Sequence, residues 1–492
     1  MQELKRLVKI IDSSNPRALP IVDPTDQSSL EGKLYNLIKN NLTQTDEEAC
    51  LDLYGEDKLT PTYRMLKSRL RKKLLNSLFF TELSESHFRT GYVKYSECLS
   101  LQYQADKLVI LGEYDLAYKI AEQVITIAKK AELNDLLVRA YDIKREANLL
   151  RDDRNKFEKD LELLQHYSYL DSSEREATLI YSRHKFDISL NLSSFKKWSV
   201  AYKQSLPKLE KLWLNTGSSK IYNYYHMLQI AYLESAGNFE GIVKLINNSK
   251  RLLDEGKVNA HWYNDRLNNF IKVYALLRLN QIEEGLNHAS CHLNSFKEGS
   301  INWYGFLENY LLLSLHKQDY MLAVNLCSLA IDKGLFNFPV PRIKERWALL
   351  IEYVKLATSK TDIDTKSIGF IKQPEFSSLS KDKEGLNLSI LILDFMKEVP
   401  NLDLQREEYH IERLSKYSNK YLKGEVGARS KLFIKLLILS MKAERRNLKT
   451  KVAPLLAKLK STPPPQDPIA EIEIVPYEHL WQYVLEVLEQ RG

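Results

Sequence analysis

The stretch Gly112-Glu113-Tyr114-Asp115-Leu116-Ala117 reads as a short turn followed by an aromatic residue that opens a helix. The same form recurs along the chain, and the residues equivalent to Tyr114 are Phe157, Phe195, Phe239, Ile282 and Tyr320. The steps between these turn markers are 43, 38, 44, 43 and 38 residues. Periods of about 20–50 residues are the signature of helical repeat arrays. The sequence therefore predicts an all-α fold, with an α-solenoid of antiparallel helix pairs at a period of about 38–44 over residues 86–358.

Aromatic residues repeat in the first helix of several predicted pairs. Tyr222, Tyr263 and Tyr304 are spaced by 41 residues, and the dipeptide Trp-Tyr occurs at both 262–263 and 303–304. Because tyrosine and tryptophan serve both helix packing and binding faces, these rings are candidates to line a concave partner-binding groove. The candidate partner-binding residues are Tyr222, Tyr224, Tyr225, Trp262, Tyr263, Trp303 and Tyr304. The alternative for each ring is burial in the core.

The run Gly112-x-Tyr114-x-x-Ala117-x-x-x-Ala121 resembles the turn and second helix of a tetratricopeptide repeat, and the run from Asp319 to Ala330 is similar. The resemblance implies that Ala117 and Ala121 are the small residues that let two helices approach closely. Ile242 and Gly285 stand where this repeat has alanine, and the period exceeds the usual one of about 34 residues. The resemblance is therefore to a degenerate, long-helix relative.

Two further stretches carry a second resemblance. They are Asp46-Glu47-Glu48-Ala49 through Leu75, and Ile472-Glu473-Ile474-Val475-Pro476-Tyr477 with Trp481. On these stretches the chain resembles an uncharacterised family of bacterial helical-repeat proteins. This second resemblance implies no activity.

Composition limits the class of protein. The chain has 492 residues, too many for one ordinary core, and only 17 Gly and 15 Pro, which favours long helices over a turn-rich β fold. Its formal charge of +7 permits an acidic partner without requiring one. The four cysteines form no CxxC pair, so the sequence contains the motif of neither a zinc knuckle nor a redox-active cysteine pair. Without a signal peptide or a long apolar run, the expected location is the cytoplasm, with no membrane partner.

Motifs for catalysis and for cofactors are absent from the sequence. There is no glycine-rich phosphate loop, no GxSxG and no HExxH, so we expect neither an enzyme nor a cofactor. His288, Cys291 and His292 lie one helical turn apart, but one helix supplies too few ligands for a closed zinc site. We therefore expect no metal there, with Cys291 packed within its helix pair and the two histidines partly exposed.

Residues 1–85 form a predicted N-terminal helical module. A short helix near 2–12 and a proline-containing stretch to Pro24 precede helices near 29–42, 45–54 and 61–75. The last helix is basic, and no acidic residue occurs from Lys58 to Thr81. Its candidate contacts with nucleic acid or with an acidic partner are Arg64, Lys67, Arg71 and Lys72. The alternative is the ordinary solvated face of an amphipathic helix.

The C-terminal part divides by composition. Residues 359–385 are a predicted irregular connection, residues 386–462 are helical, and residues 463–492 are a Pro-rich linker with a capping helix at 477–490. The tail is acidic, and its carboxylates are expected to face the basic surface around Lys442, Arg445 and Lys449. Whether the tail pairs within one chain or between molecules stays open, as does the oligomeric state.

Two functional hypotheses follow. The first is a non-catalytic scaffold or adaptor that binds a peptide or helix of a protein partner on the solenoid surface. The second is a regulator whose N-terminal helices bind nucleic acid and whose repeats sense a peptide or protein. The second fails if the basic helix packs its charged face into the first repeat.

Overall fold

The computed structural model describes residues 23, 28–81, 83, 90–190, 195–359, 361–368, 386–401, 403–422, 427–442, 445–465, 467 and 472–490. Within these residues the regular structure is helical, without a β-strand, so the all-α prediction is confirmed. The helix predicted near 2–12, the prolines up to Pro24 and most of the connection 359–385 lie outside the described residues. The chain divides into two compact units, residues 1–172 and 173–492, called here the N-terminal unit and the C-terminal unit.

Among the described residues of the N-terminal unit, seven helices begin. They are α1 (Leu30–Lys39), α2 (Asp46–Tyr54), α3 (Pro61–Ser77), α4 (Thr90–Ile110), α5 (Tyr114–Ala131), α6 (Asn134–Leu150) and α7 (Arg154–Leu190). The boundary between the units lies inside α7.

Local capping signals set the bounds of α1 to α3. Thr45 and Glu48 form a capping box at the start of α2, and Gly55 ends that helix in the left-handed region. Thr60 caps α3, which opens with Pro61. The helix predicted to reach residue 42 ends at Lys39, because Asn41 takes a left-handed φ of 52°. One face of α3 packs on α1 and α2 in a small core that includes Leu34, Cys50, Tyr63, Leu66 and Leu70.

Helices α4, α5 and α6 pack in succession, and α4 also contacts α6. The small residues of α5 that face its neighbours are fully buried: Ala117, Ala121, Ala128 and Ala131. An alanine face lets two helix backbones approach, as the predicted role of Ala117 and Ala121 requires.

Helix α7 departs from the predicted register. The sequence predicts a helix opening at Phe157, but α7 begins at Arg154, two residues after Asp152, whose φ is 56°. Tyr114 likewise begins α5 two residues after Gly112, whose φ is 76°. With Arg154 as the marker, the step from 114 is 40 residues and the next step, to 195, is 41. The left-handed residue, rather than the aromatic one, is thus the feature that repeats.

The remaining helices belong to the C-terminal unit. They are α8 (Phe195–Thr216), α9 (Ser219–Ser235), α10 (Phe239–Asp254), α11 (Asp265–Arg278), α12 (Ile282–His292), α13 (Ile301–Lys317), α14 (Tyr320–Asp332), α15 (Pro341–Thr358), α16 (Leu386–Glu398), α17 (Leu404–Tyr421), α18 (Ala428–Lys442), α19 (Arg445–Ser461) and α20 (Tyr477–Gln490). Short 3-10 turns occur at 293–295, 335–337, 366–368 and 399–401.

The turns before α10, α12 and α14 follow one rule. Gly237, Asn280 and Gln318 have φ values of 68°, 56° and 64°, and each lies two residues before the first residue of a helix. The residue three positions after the first residue of each helix is buried, whether it is large, as Ile242 is, or small, as Gly285 is. A Cβ atom on Gly285 would lie 2.7 Å from Leu313 Cδ2, so glycine permits the close approach of α12 and α13.

The largest core lies in the C-terminal unit and joins α11 to α20. The tail contributes Ile474, Val475, Leu480, Trp481 and Val484 to this core, and α20 contacts α18 and α19. The tail helix is therefore packed within its own chain. Across the described residues, no helix is both long enough and apolar enough to cross a bilayer.

Candidate functional site

A cavity of about 570 Å³ opens across α5, α6 and α7 in the N-terminal unit. We call it the lysine groove. Its lining residues are Tyr118, Glu122, Ile125, Thr126, Lys129, Tyr141, Lys144, Lys156, Lys159, Asp160 and Leu163. Four lysines and two carboxylates thus surround two tyrosine rings and two aliphatic side chains. Charged side chains thus outnumber the aliphatic ones, so the groove suits a ligand that itself carries charge.

Cations lie over the tyrosine rings of the lysine groove. Lys144 Nζ is 4.8 Å from the ring centroid of Tyr118, and Arg151 lies 4.5 Å from the same centroid. Lys129 Nζ is 5.5 Å from the ring of Tyr141, which is buried. Such cation–π contacts hold long side chains in place, so part of the ordering cost of binding is already met.

Buried polar groups lie at the base of the lysine groove. Asn148 Nδ2 donates a 2.7 Å hydrogen bond to Asp160, and the Asn148 side-chain oxygen has no described partner. Burial raises the pKa of the Asp160 carboxyl, and the nearby charge of Lys144 offsets only part of this effect. Burial opposes the charge on Lys144, but Asp160, Tyr118 and Glu122 together outweigh it and raise the pKa of Lys144. The neighbouring groups of the groove therefore stabilise the charged form of Lys144.

The seven candidate aromatics lie in the C-terminal unit, and most of their surface is used within the chain. Tyr222, Tyr225, Trp303 and Tyr304 are buried, so these four do not line an accessible groove as expected. The other three are half-buried. Tyr224 stacks on Tyr181, Trp262 lies beneath the ammonium of Lys220, and the Tyr263 hydroxyl is 3.1 Å from Ser249 Oγ. The alternative of core packing thus describes most of the set, and Trp262 and Tyr263 lie in the turn before α11 and not on a helix.

The basic helix α3 keeps its charged face exposed. Lys67 pairs with Asp46 at 2.6 Å, and Arg69 pairs with Glu31 at 3.1 Å, both within the three-helix module. Arg64, Arg71 and Lys72 are exposed and have no ion-pair partner among the described residues. The charged face is therefore not packed into the first repeat, and the nucleic-acid hypothesis passes that test.

A buried arginine fixes the acidic tail. Arg429, 6% exposed, donates from Nε to Glu473 at 2.7 Å and from Nη2 to Glu478 at 2.8 Å. Its Nη1 donates to the carbonyl oxygens of Leu459 and Thr462. Burial disfavours the charged guanidinium, but the two carboxylates outweigh this effect and raise the pKa of Arg429. We call these three side chains the arginine clamp.

The basic surface predicted to face the tail plays a smaller part. Lys449 pairs with Glu489 at 3.0 Å, but both side chains are exposed. No ion pair links Lys442 to the tail among the described residues, and the side chain of Arg445 lies outside them. The tail is held chiefly by the arginine clamp and by the apolar face of α20, and not by the surface cations.

Sequence reasoning missed both the arginine clamp and the lysine groove. The clamp had one signal, a pair of glutamates on either side of Pro476 in an apolar segment, with no cation nearby in sequence. No signal in the sequence pointed to the lysine groove, because its lysines come from three helices. Taken singly, each of these lysines resembles a solvated surface residue.

The two histidines of the His288–Cys291–His292 cluster are half-buried, as expected, but the cysteine differs from the expectation. The thiol of Cys291 is exposed, not packed, because it lies on the outer face of α12. The two histidine rings are 4.4 Å apart, and burial lowers the pKa of His288 to about 4. Among the described residues, no three His, Cys, Asp or Glu side chains are grouped to hold a metal ion.

Comparison with known proteins does not identify a family for this chain. No protein-family model matches the chain, and neither the curated proteins nor the solved structures yield a match. The all-helical architecture is compatible with a helical-repeat protein, and the tetratricopeptide-like identity stays a prediction.

Proposed function

We propose that the chain is a non-catalytic interaction scaffold that binds a peptide segment of a protein partner. In this proposal its helix pairs are degenerate tetratricopeptide-like repeats stacked as in a solenoid. The support is that consecutive helices pack on each other and that helices two apart also touch, as α4 with α6 and α11 with α13 do. Each repeat then packs mainly on its neighbours, which leaves elongated grooves along the stack.

The observation that carries the proposal is the lysine groove. It spans three consecutive helices, is open to solvent and combines apolar walls with fixed cations. A segment of a partner placed along it contacts α5, α6 and α7 together. Binding that uses residues from several repeats is the usual way in which helical arrays recognise extended partners.

Selection from a random peptide library on the full chain tests this proposal. Thr126 is exposed in the groove, so Thr126→Trp fills the cavity without touching the core. A matched control, Lys119→Trp, places the same ring on an exposed part of α5 outside the groove. We expect peptides that enrich on the wild type and on the control but not on Thr126→Trp. Equal enrichment on all three proteins contradicts the proposal.

A second candidate function is nucleic-acid binding by α3. The favouring observation is that Arg64, Arg71 and Lys72 are exposed and unpaired among the described residues, on a helix whose other face anchors a three-helix module. Cations on a rigid helix are suited to the phosphate backbone. Charge and exposure support binding to the nucleic-acid backbone, and they indicate no preferred base sequence.

Anisotropy of a labelled DNA duplex and of an RNA strand tests the second candidate. Charge reversal at Arg64, Arg71 and Lys72 is preferred to reversal at Lys67, because Asp46 would then face a second carboxylate. We expect binding by the wild type that weakens steeply between about 50 and 200 mM salt and is lost in the triple variant. Absence of binding at low salt removes the nucleic-acid candidate and leaves α3 as a solvated or protein-contacting face.

A further inference from the structure

The charges of the lysine groove are not all balanced within the chain. Lys144 Nζ is 3.4 Å from Glu122 and 3.8 Å from Asp160, so one lysine serves both carboxylates of the groove. Lys156 pairs with Asp153, at 2.7 Å. No carboxylate among the described residues pairs with Lys129 or Lys159. Lys129 and Lys159 therefore form no ion pair, although the charge of Lys159 acts on the neighbouring Asp160.

The two unpaired lysines come from different helices that line the groove. Lys129 comes from the last turn of α5, and Lys159 comes from the second turn of α7. Ile125 lies one turn from Lys129 on α5, and Leu163 lies one turn from Lys159 on α7, so each cation has an aliphatic neighbour in the groove lining. A ligand in the groove therefore meets a cation next to an apolar side chain on each of two helices.

The C-terminal unit contains a bound segment of matching chemistry. There the tail residues Glu473 and Glu478 bind Arg429, while Ile474 and Val475 enter the core between them. Two carboxylates on either side of apolar side chains are thus already accommodated by helices of this chain. The lysine groove presents the complementary features without a described acidic segment in it.

We infer that the lysine groove binds an acidic peptide segment, in which two carboxylates flank one or two apolar side chains. The inference rests on the proposed scaffold function and names its partner class. The carboxylates pair with Lys129 and Lys159, and the apolar side chains lie against Ile125, Leu163 and the tyrosine rings. The groove offers two lysines without an ion-pair partner, which suit two carboxylates, whereas a continuous polyanion such as nucleic acid would place further phosphates beside Glu122 and Asp160.

The test uses the full chain and a set of labelled peptides of about 12 residues. One peptide has glutamates on either side of a Leu-Val pair, the second has glutamine at the glutamate positions, and the third has lysine. We expect the glutamate peptide to bind at least about tenfold more tightly than the glutamine peptide, since charge-assisted hydrogen bonds exceed neutral ones. The lysine peptide should not bind.

Variants locate the site. Lys129→Met and Lys159→Met each remove an exposed unpaired cation, and each should weaken the glutamate peptide by about threefold to tenfold, with little effect on the glutamine peptide. Lys107→Met is the control, because Lys107 is an exposed lysine of α4 outside the groove and its loss should change binding by less than about twofold. Circular dichroism checks that each variant keeps its helix content.

The outcomes separate the inference from the proposed function. Equal binding of the glutamate and glutamine peptides overturns the acidic-partner inference and leaves the scaffold function standing. Glutamate-peptide binding that survives both lysine changes also overturns the inference, because the site then lies elsewhere. Displacement of the peptide by single-stranded RNA with higher affinity assigns the groove to nucleic acid and overturns it as well. If neither these peptides nor the library yields a binder, both the inference and the scaffold function fail.

Discussion

The arginine clamp and the lysine groove are two cationic sites with different neighbours. In the clamp, a guanidinium is buried beneath the chain's own tail and meets two carboxylates. In the groove, Lys129 and Lys159 are exposed and have no carboxylate partner among the described residues. Because the clamp is buried, the loss of one partner leaves the others as unpaired charges in the interior, which is costly. Exposure leaves the groove cations free to act on a partner at little cost to the fold.

The comparison first predicts a large effect at the clamp. Arg429→Met leaves Glu473 and Glu478 without their cation, so the free energy of unfolding of the C-terminal unit should fall by about 3–5 kcal/mol. Denaturant unfolding followed by tryptophan fluorescence measures this loss, since Trp481 is buried beside the clamp. Adding Glu473→Gln and Glu478→Gln to the variant should restore part of the loss.

The matched control for the clamp is Lys449→Met. Lys449 and Glu489 also join the tail to α19, but both side chains are exposed, so we expect a change of only about 0–1 kcal/mol. Equal losses in Arg429→Met and Lys449→Met contradict the assignment of the clamp as the main polar anchor.

A second prediction concerns the helix pair beneath the lysine groove. Ala117 is fully buried on α5, so Ala117→Leu forces α4 and α5 apart and should cost about 1–3 kcal/mol in the free energy of unfolding. Gln123→Leu, on the exposed face of the same helix, is the control and should change stability by less than about 0.5 kcal/mol. An unchanged melting temperature in Ala117→Leu means that this close approach is not required.

A third prediction uses the histidine that contacts the docked tail. His316 Nε2 donates to the carbonyl oxygen of Glu473 at 2.6 Å, and burial lowers the pKa of His316 to about 4. The unfolded chain, with the ordinary pKa near 6.5, then binds the proton more readily. The neutral His316 side chain therefore contributes fully to the free energy of unfolding above pH 6.5, and this contribution is lost as the pH falls toward 4.

The measurement is the free energy of unfolding at pH 7 and at pH 5. His316→Gln keeps a donor for the Glu473 carbonyl but does not titrate, so it should lose about 1–2 kcal/mol less than the wild type over this interval. His479 faces the same pocket and also has a lowered pKa, so some acid sensitivity remains in the variant. An identical loss in both proteins shows that His316 is not protonated on unfolding in this range.

The smallest expected effect sharpens the contrast with Arg429. Lys129→Met and Lys159→Met should each change the free energy of unfolding by no more than about 1 kcal/mol, because Lys129 makes only an exposed cation–π contact with Tyr141 and Lys159 acts on Asp160 without an ion pair. Thermal unfolding of the two variants checks this. A loss of several kcal/mol assigns these lysines to the fold and not to a partner.

The two regions also differ in how far the sequence predicted them. The helices, the caps at Thr45 and Thr60 and the buried Ala117 follow from local spacing, because such patterns are set within a few turns of one helix. The start of α7 did not follow from local spacing, because a left-handed Asp152 takes the place of glycine in the repeated turn. The aromatic residue Phe157 therefore lies three residues after the first residue of α7.

Long-range contacts explain the remaining differences. The sequence predicts Trp303 and Tyr304 as partner-binding residues, but neighbouring helices cover both rings. The Tyr304 hydroxyl also donates a hydrogen bond to the carbonyl oxygen of Lys333. Arg429 and Glu473 are 44 residues apart and meet only after the tail folds back. Burial and partners of this kind depend on packing, which a periodic pattern does not specify.

The most direct measurement of the central claim is hydrogen exchange of the full chain, with and without the glutamate peptide. If the lysine groove is the site, amides within residues 114–167 should gain protection, while those of 445–490, where the tail is already docked, should not change. Protection confined to 445–490, with exchange of the tail helix altered, contradicts the account, because the peptide then competes for the arginine clamp and the lysine groove is not the site.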